Sequence, residues 1–515
     1  ATPIDWPEIT DWQTLLQKSP ACSTEDTYLP LILDQSHRLY LQRYFQHENA
    51  IATSIRSLTN KPSESTSNET NTTEEIPDTV FEGLHHLQKT GIQEALQNRF
   101  FIITGGPGTG KTTTVLRYLI ARLSLSEHPE FLRIGVAAPT GKAAARLAES
   151  FINGLDSAPA PEEIKELLKV IPCQTIHRML GSLPGLSTFR HDAHKPLPFD
   201  IIVVDEASMI DLPLMRRFLD ALPKDAILLL LGDADQLSSV NVGSVLKDLL
   251  EAGQNPESPL SQNICQLTQT FRFDESSGIF HLCNAIRRDD QPAIIETLSN
   301  NPFSDLTIEL GDDSQNAFKH TIDKGFQHWK AIDQSTDVDS ALTQLNAHTI
   351  LTTQRRGKHG TEELNRAIAQ KVRNSTHADS HQEFFHAMPI IILENNYDTE
   401  LYNGDLGLIW IHPKDGTPKA YFPDANGKAR SFPLSSLPRH EAAFALTIHK
   451  SQGSEFSDVT VFLSETHEAH LSKELIYTAF SRARKTLTIA GDKLALLKGI
   501  STTVNRATGL ADKLK

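Results

Sequence analysis

A glycine-rich octamer, Gly105 to Thr112 (GGPGTGKT), restricts the fold of this chain more than any other feature. It follows the apolar run FFIIT and precedes VLRYLIARL, a segment whose apolar residues have helical spacing. Glycines in this pattern let successive backbone N–H groups face the phosphates of a nucleotide at a helix N-terminus. The octamer therefore predicts a nucleoside-triphosphate site, in which Lys111 binds the β- and γ-phosphates and the Thr112 hydroxyl binds Mg²⁺. The residues expected around the nucleotide are Gly105, Gly106, Pro107, Gly108, Thr109, Gly110, Lys111, Thr112 and Thr113.

Short apolar runs alternate with helical stretches after Phe81, which is the pattern of parallel α/β proteins. Because the runs are almost continuously apolar, they predict strands that are buried on both faces. The runs fall into two groups, so we predict two α/β domains, each built on a parallel sheet. The first group is residues 100–104, 134–138, 201–204 and 227–231, and the second is residues 348–352, 459–463 and 487–490.

Residues 389–437 differ in texture, because turn sequences such as YNGD, PKDG and DANG recur between short apolar runs. Such spacing is typical of a small β-barrel, here inserted into the second domain. Residues 63–79 carry five acids and no lysine or arginine, which favours a flexible linker. The predicted divisions are a small N-terminal domain for partner docking (1–62), the acidic linker (63–79), the first α/β domain (80–265, with a small insertion at about 150–199) and the second (266–515, with the barrel at about 385–440).

The formal net charge is −15, from 49 Lys and Arg against 64 Asp and Glu. This balance excludes a basic field over the whole surface, so nucleic-acid binding would require a local groove. The longest purely aliphatic run, residues 226–231, is six residues long, whereas a membrane-spanning helix needs about 20. The sequence also opens without a basic segment followed by an apolar one, and we expect a cytoplasmic protein.

Two acids, Asp205 and Glu206, directly follow the apolar run 201–204. Carboxylates at the C-terminal end of a parallel strand lie where such sheets bind ligands. We predict that Asp205 holds Mg²⁺ and that Glu206 orients and deprotonates the water that attacks the triphosphate. Gln236 follows the next apolar run and is a candidate hydrogen-bond partner for the γ-phosphate, although a solvated polar loop explains it equally well.

Further blocks occur in a fixed order along the chain, starting with Gln88. They are GGPGTGKTTT, APTGKAAARLAE, TIHRMLG, VVDEASM, GDADQLSSV, LTQTFRF, LTIHKSQGSEF and YTAFSRARK. From about Tyr28 to the last residue, the chain resembles the RecD branch of superfamily-one DNA helicases. The resemblance implies two RecA-like P-loop NTPase domains, a small N-terminal domain and an SH3-like β-barrel inserted into the second RecA-like domain.

The resemblance also implies an activity, its cofactors and its partners. It implies ATP-dependent 5′-to-3′ translocation on single-stranded DNA and unwinding from duplex ends, with ATP and Mg²⁺. Members of this branch serve as motor subunits of exodeoxyribonuclease V, together with RecB-like and RecC-like subunits, in double-strand break repair by homologous recombination. The alternative is a stand-alone RecD-like helicase, whose members usually carry a long N-terminal extension.

Two other classes of function are less favoured by the residues. A subunit that cuts DNA itself would need a further carboxylate cluster for two metal ions, and the sequence outside the ATPase blocks offers no such cluster. An inactive scaffold that binds nucleotide without turnover would have no need of Lys111, Glu206, Arg272 and Arg482, which are all present.

Roles for single residues follow from the resemblance. Gln88 would bind the adenine edge, and Arg272 and Arg482 resemble arginines that the second domain projects onto the γ-phosphate. The predicted catalytic residues are Lys111, Glu206, Gln236, Arg272 and Arg482. The predicted DNA-binding residues are Thr140, Lys142, His177, Thr447, His449, Lys450 and Ser451, of which the first three are open to a simpler reading as a helix cap and solvated side chains.

Aromatic residues of the predicted barrel are candidates for base stacking. These are Tyr397, Tyr402 and Trp410. Because Trp410 lies between Ile409 and Ile411, packing in the barrel core is the better interpretation for this residue.

Overall fold

The computed structural model describes residues 8–25, 27–60, 76–183, 188–239, 241–274, 276–311, 314–376, 383–396, 398–412, 416–424, 427–464, 471–504 and 506–515. Residues 63–75 of the predicted acidic linker lie outside these ranges, as does Tyr397. The predictions made for them stay predictions.

The first elements form a small layer before the predicted linker. They are α1 (Ile9–Lys18), β1 (Cys22–Ser23), β2 (Leu31–Leu33), β3 (Leu39–Leu41) and α2 (Gln42–Thr59). The three strands form one sheet in the order β1-β2-β3. Ile51 and Ile55 of α2 are spaced by four residues and are fully buried in the same hydrophobic core as Ile102 and Phe218 of the next domain. Helix α2 therefore packs against the first α/β domain and also belongs to the small N-terminal unit.

A six-stranded sheet follows, with helices between its strands. Its elements are α3 (His86–Leu96), β4 (Phe100–Gly105), α4 (Lys111–Ser124), β5 (Ile134–Ala138), α5 (Gly141–Ser157), α6 (Glu162–Lys169), β6 (Cys173–Thr175), α7 (Ile176–Leu180), β7 (Ile201–Val204), α8 (Leu212–Asp220), β8 (Ile227–Gly232), α9 (Val245–Gly253) and β9 (Ile264–Leu267). The strand order is β6-β5-β7-β8-β4-β9, and all pairs are parallel.

The continuous apolarity of these strands has a direct structural reason. Alternate side chains of a strand point to opposite faces of the sheet. Phe100 and Ile102 of β4 belong to the hydrophobic core on one face, and Phe101 and Ile103 belong to the core on the other. Each strand must therefore be apolar at every position, which is why the sequence predicts this sheet well.

The second half of the chain begins with a further α/β series. Its elements are α10 (Gly278–Arg287), α11 (Gln291–Asn300), β10 (Leu306–Gly311), α12 (Ser314–Asp333), α13 (Val338–Leu345), β11 (His348–Thr352) and α14 (Thr361–Thr376). Gly325 of α12 allows close packing on the sheet, because a Cβ there would lie 2.5 Å from Ile368 Cδ1 of α14 and 3.0 Å from Ile350 Cδ1 of β11.

An antiparallel sheet is inserted at the place where the turn-rich sequence predicts a barrel. Its strands are β12 (Met388–Ile392), β13 (Leu406–Ile411), β14 (Pro418–Pro423), β15 (Ala429–Pro433) and β16 (His440–Ala442), in the order β15-β14-β13-β12-β16. The SH3-like description is compatible with this sheet and stays a prediction. Trp410 is 6% exposed, with its ring 4.2 Å from that of His386, so its interpretation as a core residue is confirmed.

The chain then completes the second parallel sheet. The remaining elements are β17 (Ala445–Thr447), β18 (Phe456–Leu463), α15 (Lys473–Phe480), β19 (Ala483–Asp492), α16 (Lys493–Ser501) and α17 (Leu510–Lys513). The order is β10-β19-β18-β11-β17, again with parallel pairs. Short 3₁₀ turns lie at Asp78–Phe81, Pro129–Phe131, Ala207–Met209, Leu434–Ser436 and Ile448–Ser451. Two RecA-like domains with parallel sheets are thus confirmed.

The last residues of the chain return to the first domain. Leu510 and Leu514 are fully buried in the core that contains Ile51 of α2 and Leu249 of α9. On the way, the Arg506 guanidinium donates to Ser239 O at 2.6 Å and to Asn241 O at 2.7 Å. Residues 506–515 therefore connect the second domain to the first, and the predicted domain boundaries stay predictions.

Candidate active site

The glycine-rich loop connects β4 to α4 at the C-terminal ends of the strands of the first sheet. Gly108 and Gly110 have φ angles of +74° and +81°, a conformation that residues with a Cβ rarely adopt. Thr109 Oγ1 donates to Gly106 O at 2.8 Å. Lys111 Nζ donates to the carbonyls of Gly105 at 2.6 Å and Gly106 at 3.1 Å. The loop thus wraps around the Lys111 ammonium group at the N-terminus of a helix, which is the geometry that phosphate binding requires.

Gln88 is buried against this loop. Its Oε1 accepts a hydrogen bond from His85 N at 3.0 Å, as part of the capping box that begins α3. Its Nε2 lies 3.4 Å from Gly110 O, and a Cβ on Gly110 would approach Nε2 to 2.4 Å. Gln88 therefore supports the glycine-rich loop directly, while its predicted contact with adenine stays a prediction.

Asp205 and Glu206 lie at the C-terminal end of β7, as the sequence predicts. Asp205 Oδ1 accepts a hydrogen bond from Glu206 N at 2.8 Å. Burial, with the adjacent Glu206 charge, raises the pKa of Asp205 to about 6, although Lys111 opposes the shift. Glu206 has a φ of +53°, a left-handed conformation that is uncommon for a residue with a Cβ and that recurs at functional sites.

The oxygen atoms present at this strand end fit a magnesium ion. Mg²⁺ is usually held by one or two carboxylates together with substrate phosphates and waters. The Thr112 hydroxyl and the Asp205 carboxylate line the same cleft. The burial that raises the pKa of Asp205 also means that a cation would stabilise its charged form. Thr112 and Asp205 are thus suited to hold Mg²⁺ beside the phosphates.

Gln236 connects the two domains through a buried polar network. Its Nε2 donates to Asp233 Oδ2 at 3.0 Å, and its Oε1 accepts from Arg482 Nη2 at 2.7 Å. Tyr477 of α15 donates its hydroxyl proton to Asp233 Oδ2 at 3.0 Å. Burial raises the pKa of Asp233, and Lys111 opposes this shift. Asp233 and Tyr477 were not predicted, although Asp233 could have been found as the first acid after β8.

Arg482 is buried at the start of β19, with only 3% of its surface exposed. It donates to Thr478 O at 3.1 Å and Ser454 O at 3.2 Å within the second domain, and to Gln236 across the domain boundary. These three hydrogen bonds fix the buried Arg482 guanidinium in one orientation. Arg482 thus lines the cleft from the second domain, and its predicted contact with the γ-phosphate stays a prediction.

Arg272 lies in the segment that connects β9 of the first sheet to α10 of the second domain. Its neighbour Phe271 donates N–H to Gly108 O at 2.8 Å, so the glycine-rich loop holds this segment directly. The predicted contact of Arg272 with the γ-phosphate stays a prediction. Arg272 Nη2 donates to Glu455 Oε1 at 2.5 Å, whereas Nη1 is buried and has no hydrogen-bond partner within the described part of the chain. An unpaired buried guanidinium nitrogen beside the loop suits a phosphate oxygen.

One cleft of 780 Å³ brings the predicted nucleotide residues together. Gly105 and Gly106 contribute from the base of the loop through their carbonyls. The predicted residues that line the cleft are Gln88, Pro107, Gly108, Thr109, Gly110, Lys111, Thr112, Thr113, Asp205, Glu206, Gln236, Arg272 and Arg482. Arg146, Glu455 and Arg484 also line it and were not predicted.

The predicted DNA-binding residues of the first domain lie around the start of α5 and α7. Thr140 Oγ1 accepts from Ala143 N at 3.2 Å and so caps α5, while its predicted contact with DNA stays a prediction. Lys142 Nζ donates to Gly404 O of the inserted sheet at 3.1 Å. Burial lowers the pKa of Lys142 to about 8, and Asp405 opposes this shift. His177 is exposed at the start of α7.

The DNA-binding residues predicted for the second domain differ in their exposure and in their contacts. Thr447 ends β17, opposite Thr352 at the end of β11, and His449 is exposed. Lys450 forms a short ion pair with Glu441. Ser451 is fully buried, and its hydroxyl donates to Ile448 O at 2.7 Å. The prediction that Ser451 contacts DNA is therefore wrong for this conformation, because its side chain closes its own turn and has no exposed surface.

A second cleft of 460 Å³ lies between α5, α7 and the inserted sheet. Lys142 and Tyr402 line it, as do Arg178 and Arg430, which were not predicted. Tyr402 packs against the start of α5, where a Cβ on Gly141 would lie 2.5 Å from its ring. Arg146 lines the cleft as well, together with five acids, Glu149, Glu400, Asp405, Asp424 and Glu455. The cleft is therefore mixed in charge, and its single cations and aromatic ring could contact individual phosphates and bases. Arg178 was visible only as a charge in the block TIHRMLG, without a signal that it faces a groove.

Two RecA-like domains with a phosphate loop, an acidic strand end and two arginines in one cleft define a P-loop NTPase. Residues 88–242 match the AAA domain family and residues 442–490 match the UvrD-like helicase C-terminal domain. The chain is 34% identical to the RecBCD enzyme subunit RecD of Haemophilus influenzae, over 83% of this chain and 72% of that one. It is 33% identical to the same subunit of Mycolicibacterium smegmatis, over 99% and 88%. The ATP-dependent RecD2 DNA helicase of Deinococcus radiodurans is 29% identical, over 89% and 56%.

The chain therefore belongs to the RecD family of ATP-dependent DNA helicases. In the part of the chain that the structure describes, we find no helix with the length and apolarity needed to span a membrane.

Proposed function

We propose that this chain is the motor subunit of a complex with RecB-like and RecC-like subunits. In this role it hydrolyses ATP, moves 5′ to 3′ along single-stranded DNA and unwinds duplex ends in double-strand break repair. The observation that carries the proposal is the 780 Å³ cleft, where Lys111 of the first domain and Arg482 of the second line one space. The similarity to RecBCD enzyme subunits extends over most of their length, which supports the assembly.

The residues that line the cleft have different roles in ATP hydrolysis. Lys111 and the loop N–H groups bind the β- and γ-phosphates, and Thr112 and Asp205 would hold Mg²⁺, which would neutralise phosphate charge. Glu206 accepts a proton from the attacking water. Arg272 and Arg482 stabilise the charge that develops on the γ-phosphate. Arginines in this position contribute about 10³ to 10⁵ in rate, or about 4 to 7 kcal/mol of the barrier.

Movement follows from the position of the nucleotide between two domains. The γ-phosphate is shared by groups of both domains, so ATP favours the closed cleft and hydrolysis releases it. The network from Asp233 through Gln236 to Arg482 crosses the boundary and would transmit this change. DNA that lies across both domains would then advance by one step in each cycle.

We propose that the 460 Å³ cleft forms part of the surface along which the DNA strand binds, which we call the DNA track. Lys142, Arg178 and Arg430 supply positive charge there, among acids that include Glu400, Asp405 and Asp424, and Tyr402 supplies a ring. Thr140, His177, Thr447, His449 and Lys450 are proposed to extend the track on either side. Phosphate contacts and stacking are tolerant of sequence, as a motor requires.

A stand-alone helicase is the second candidate, because the chain also resembles the RecD2 DNA helicase of Deinococcus radiodurans. The similarity covers 56% of that protein, compared with 72% and 88% of the two RecBCD subunits. Copurification with RecB-like and RecC-like subunits separates the two candidates. A processive monomer that binds neither subunit would favour the stand-alone helicase.

Strand displacement from tailed duplexes tests the activity and its direction together. We expect ATP-dependent release of the strand when the duplex carries a 5′ tail, and little release with a 3′ tail. Lys111→Ala should abolish release while the thermal midpoint of unfolding stays close to that of the wild type, because Lys111 is needed for phosphate binding. Release at the wild-type rate by Lys111→Ala would refute the assignment, and preferential use of 3′ tails would refute the direction.

A further inference from the structure

Arg146 lies on α5, one turn after the predicted DNA contact Lys142, and both side chains face the second domain. Residues spaced by four lie on the same side of a helix. Arg146 Nη1 donates to Gly453 O at 2.5 Å, and Nη2 lies 3.3 Å from Glu455 Oε2. Gly453 and Glu455 belong to the segment between β17 and β18 of the second sheet. Arg146 is therefore a bridge from the helix that begins the DNA track to the second domain.

Glu455 pairs with Arg146 and also lines the nucleotide cleft. Its Oε1 accepts from Arg272, while Arg484 and Arg146 approach Oε2 at 2.8 Å and 3.3 Å. Burial opposes ionisation of this carboxyl, but the charges of Arg272, Arg146 and Arg482 outweigh it and hold the pKa of Glu455 well below its usual range. Glu455 is thus a fixed anion, and the place of Arg272 depends on it.

Arg146 and Glu455 both line the nucleotide cleft of 780 Å³ and the proposed DNA cleft of 460 Å³. We infer that Arg146 is a positioning residue that couples DNA at the start of α5 to the γ-phosphate arginine Arg272, by way of Glu455. A displacement of α5 that accompanies DNA binding moves Arg146, and Glu455 passes the displacement to Arg272. This inference rests on the proposed function, since it assigns a route by which DNA stimulates hydrolysis.

The test is steady-state ATP hydrolysis by Arg146→Ala, without DNA and with saturating oligo(dT). We expect the stimulation of kcat by DNA to fall at least tenfold, while KM for ATP and Kd for the oligonucleotide change by less than about threefold. Arg133→Ala is a matched control, because Arg133 pairs with Asp200 inside the first domain and lines neither cleft. Its stimulation should equal that of the wild type.

A double-mutant cycle checks the route. Because Arg146 is proposed to act through Glu455, Arg146→Ala with Glu455→Gln should be no worse than the more damaged single variant. Additive losses would overturn the route through Glu455. Unchanged stimulation in Arg146→Ala would overturn the inference, as would a weaker Kd for DNA with normal kcat at saturation, since Arg146 would then be an ordinary DNA contact. If the wild type itself shows no stimulation by DNA, the proposed function fails instead.

Discussion

At the scale of single residues, the environment of each charged group decides its chemistry more than its type does. Lys111 and Lys142 are both lysines near proposed phosphate positions. Lys111 is surrounded by the carbonyls of its own loop, whereas Lys142 is pressed against Gly404 of the inserted sheet. Burial lowers the pKa of Lys142 to about 8. This group therefore carries its charge at neutral pH and loses it in mildly alkaline solution.

The shifted pKa makes a prediction about DNA binding. Below pH 8 Lys142 is protonated and can bind phosphate, and above pH 8 that contribution is lost. A hydrogen bond to a charged group contributes about 1.5 kcal/mol or more, so Kd for oligo(dT) should rise about tenfold between pH 7 and pH 9 at constant ionic strength. Lys142→Arg should show a much smaller rise, because guanidinium stays protonated. Equal pH dependence in both proteins would show that Lys142 does not contact the DNA.

The sequence predicted site residues well where their role is local. The glycine-rich loop and the acids after β7 were found because their function depends on neighbours in the chain. Arg146 and Glu455 were missed because their contacts join segments that are far apart in sequence. The contact of the Arg272 segment with the glycine-rich loop was missed for the same reason, since only the fold shows that Phe271 binds Gly108.

At the scale of elements, burial determined which strands could be predicted. β7 has the predicted bounds and β4 differs by one residue, since both are apolar throughout. β10 and β17 were not predicted. β10 is an edge strand of which only Leu306 is buried, and β17 has three residues, too few to show a pattern.

A buried acid between α9 and the last residues of the chain gives a prediction at this scale. Asp248 is 3% exposed, and its Oδ2 lies 3.0 Å from Thr508 Oγ1. Burial raises its pKa from the ordinary value of 3.8 to about 7, with a hydrogen bond from Thr508 opposing and Glu48 adding to the shift. Between these two pH values the folded state holds a proton that the unfolded state has lost, so stability falls as the pH rises through this window.

Asp248→Asn removes this cost of burying a charge. We expect the variant to have a higher thermal midpoint than the wild type at pH 8, and a smaller advantage at pH 5, where the wild-type carboxyl is neutral in the folded state. Asp225→Asn, at an exposed position, should change neither midpoint. An Asp248→Asn variant that is less stable at pH 8 would mean that the ionised carboxylate is a favourable partner of Thr508.

At the scale of the whole molecule, an acidic protein can bind DNA through individual cations placed along a groove, without a basic surface. The net charge of the chain is −15, and the 460 Å³ cleft itself mixes four cations, Lys142, Arg146, Arg178 and Arg430, with five acidic residues. Residues 506–515 join the core of the first domain after the chain has completed the second. The two domains are therefore connected both by the segment after β9 and by this returning segment, which limits how far the clefts can open.

The central claim is that the second domain completes the site at which the first domain binds ATP. The most direct measurement is kcat for ATP hydrolysis by Arg482→Ala in the presence of saturating oligo(dT), together with Kd for ATP. Because the glycine-rich loop belongs to the first domain, ATP should still bind with nearly normal affinity, whereas kcat should fall about 10³-fold or more. A folded Arg482→Ala protein with kcat within tenfold of the wild type would contradict the account.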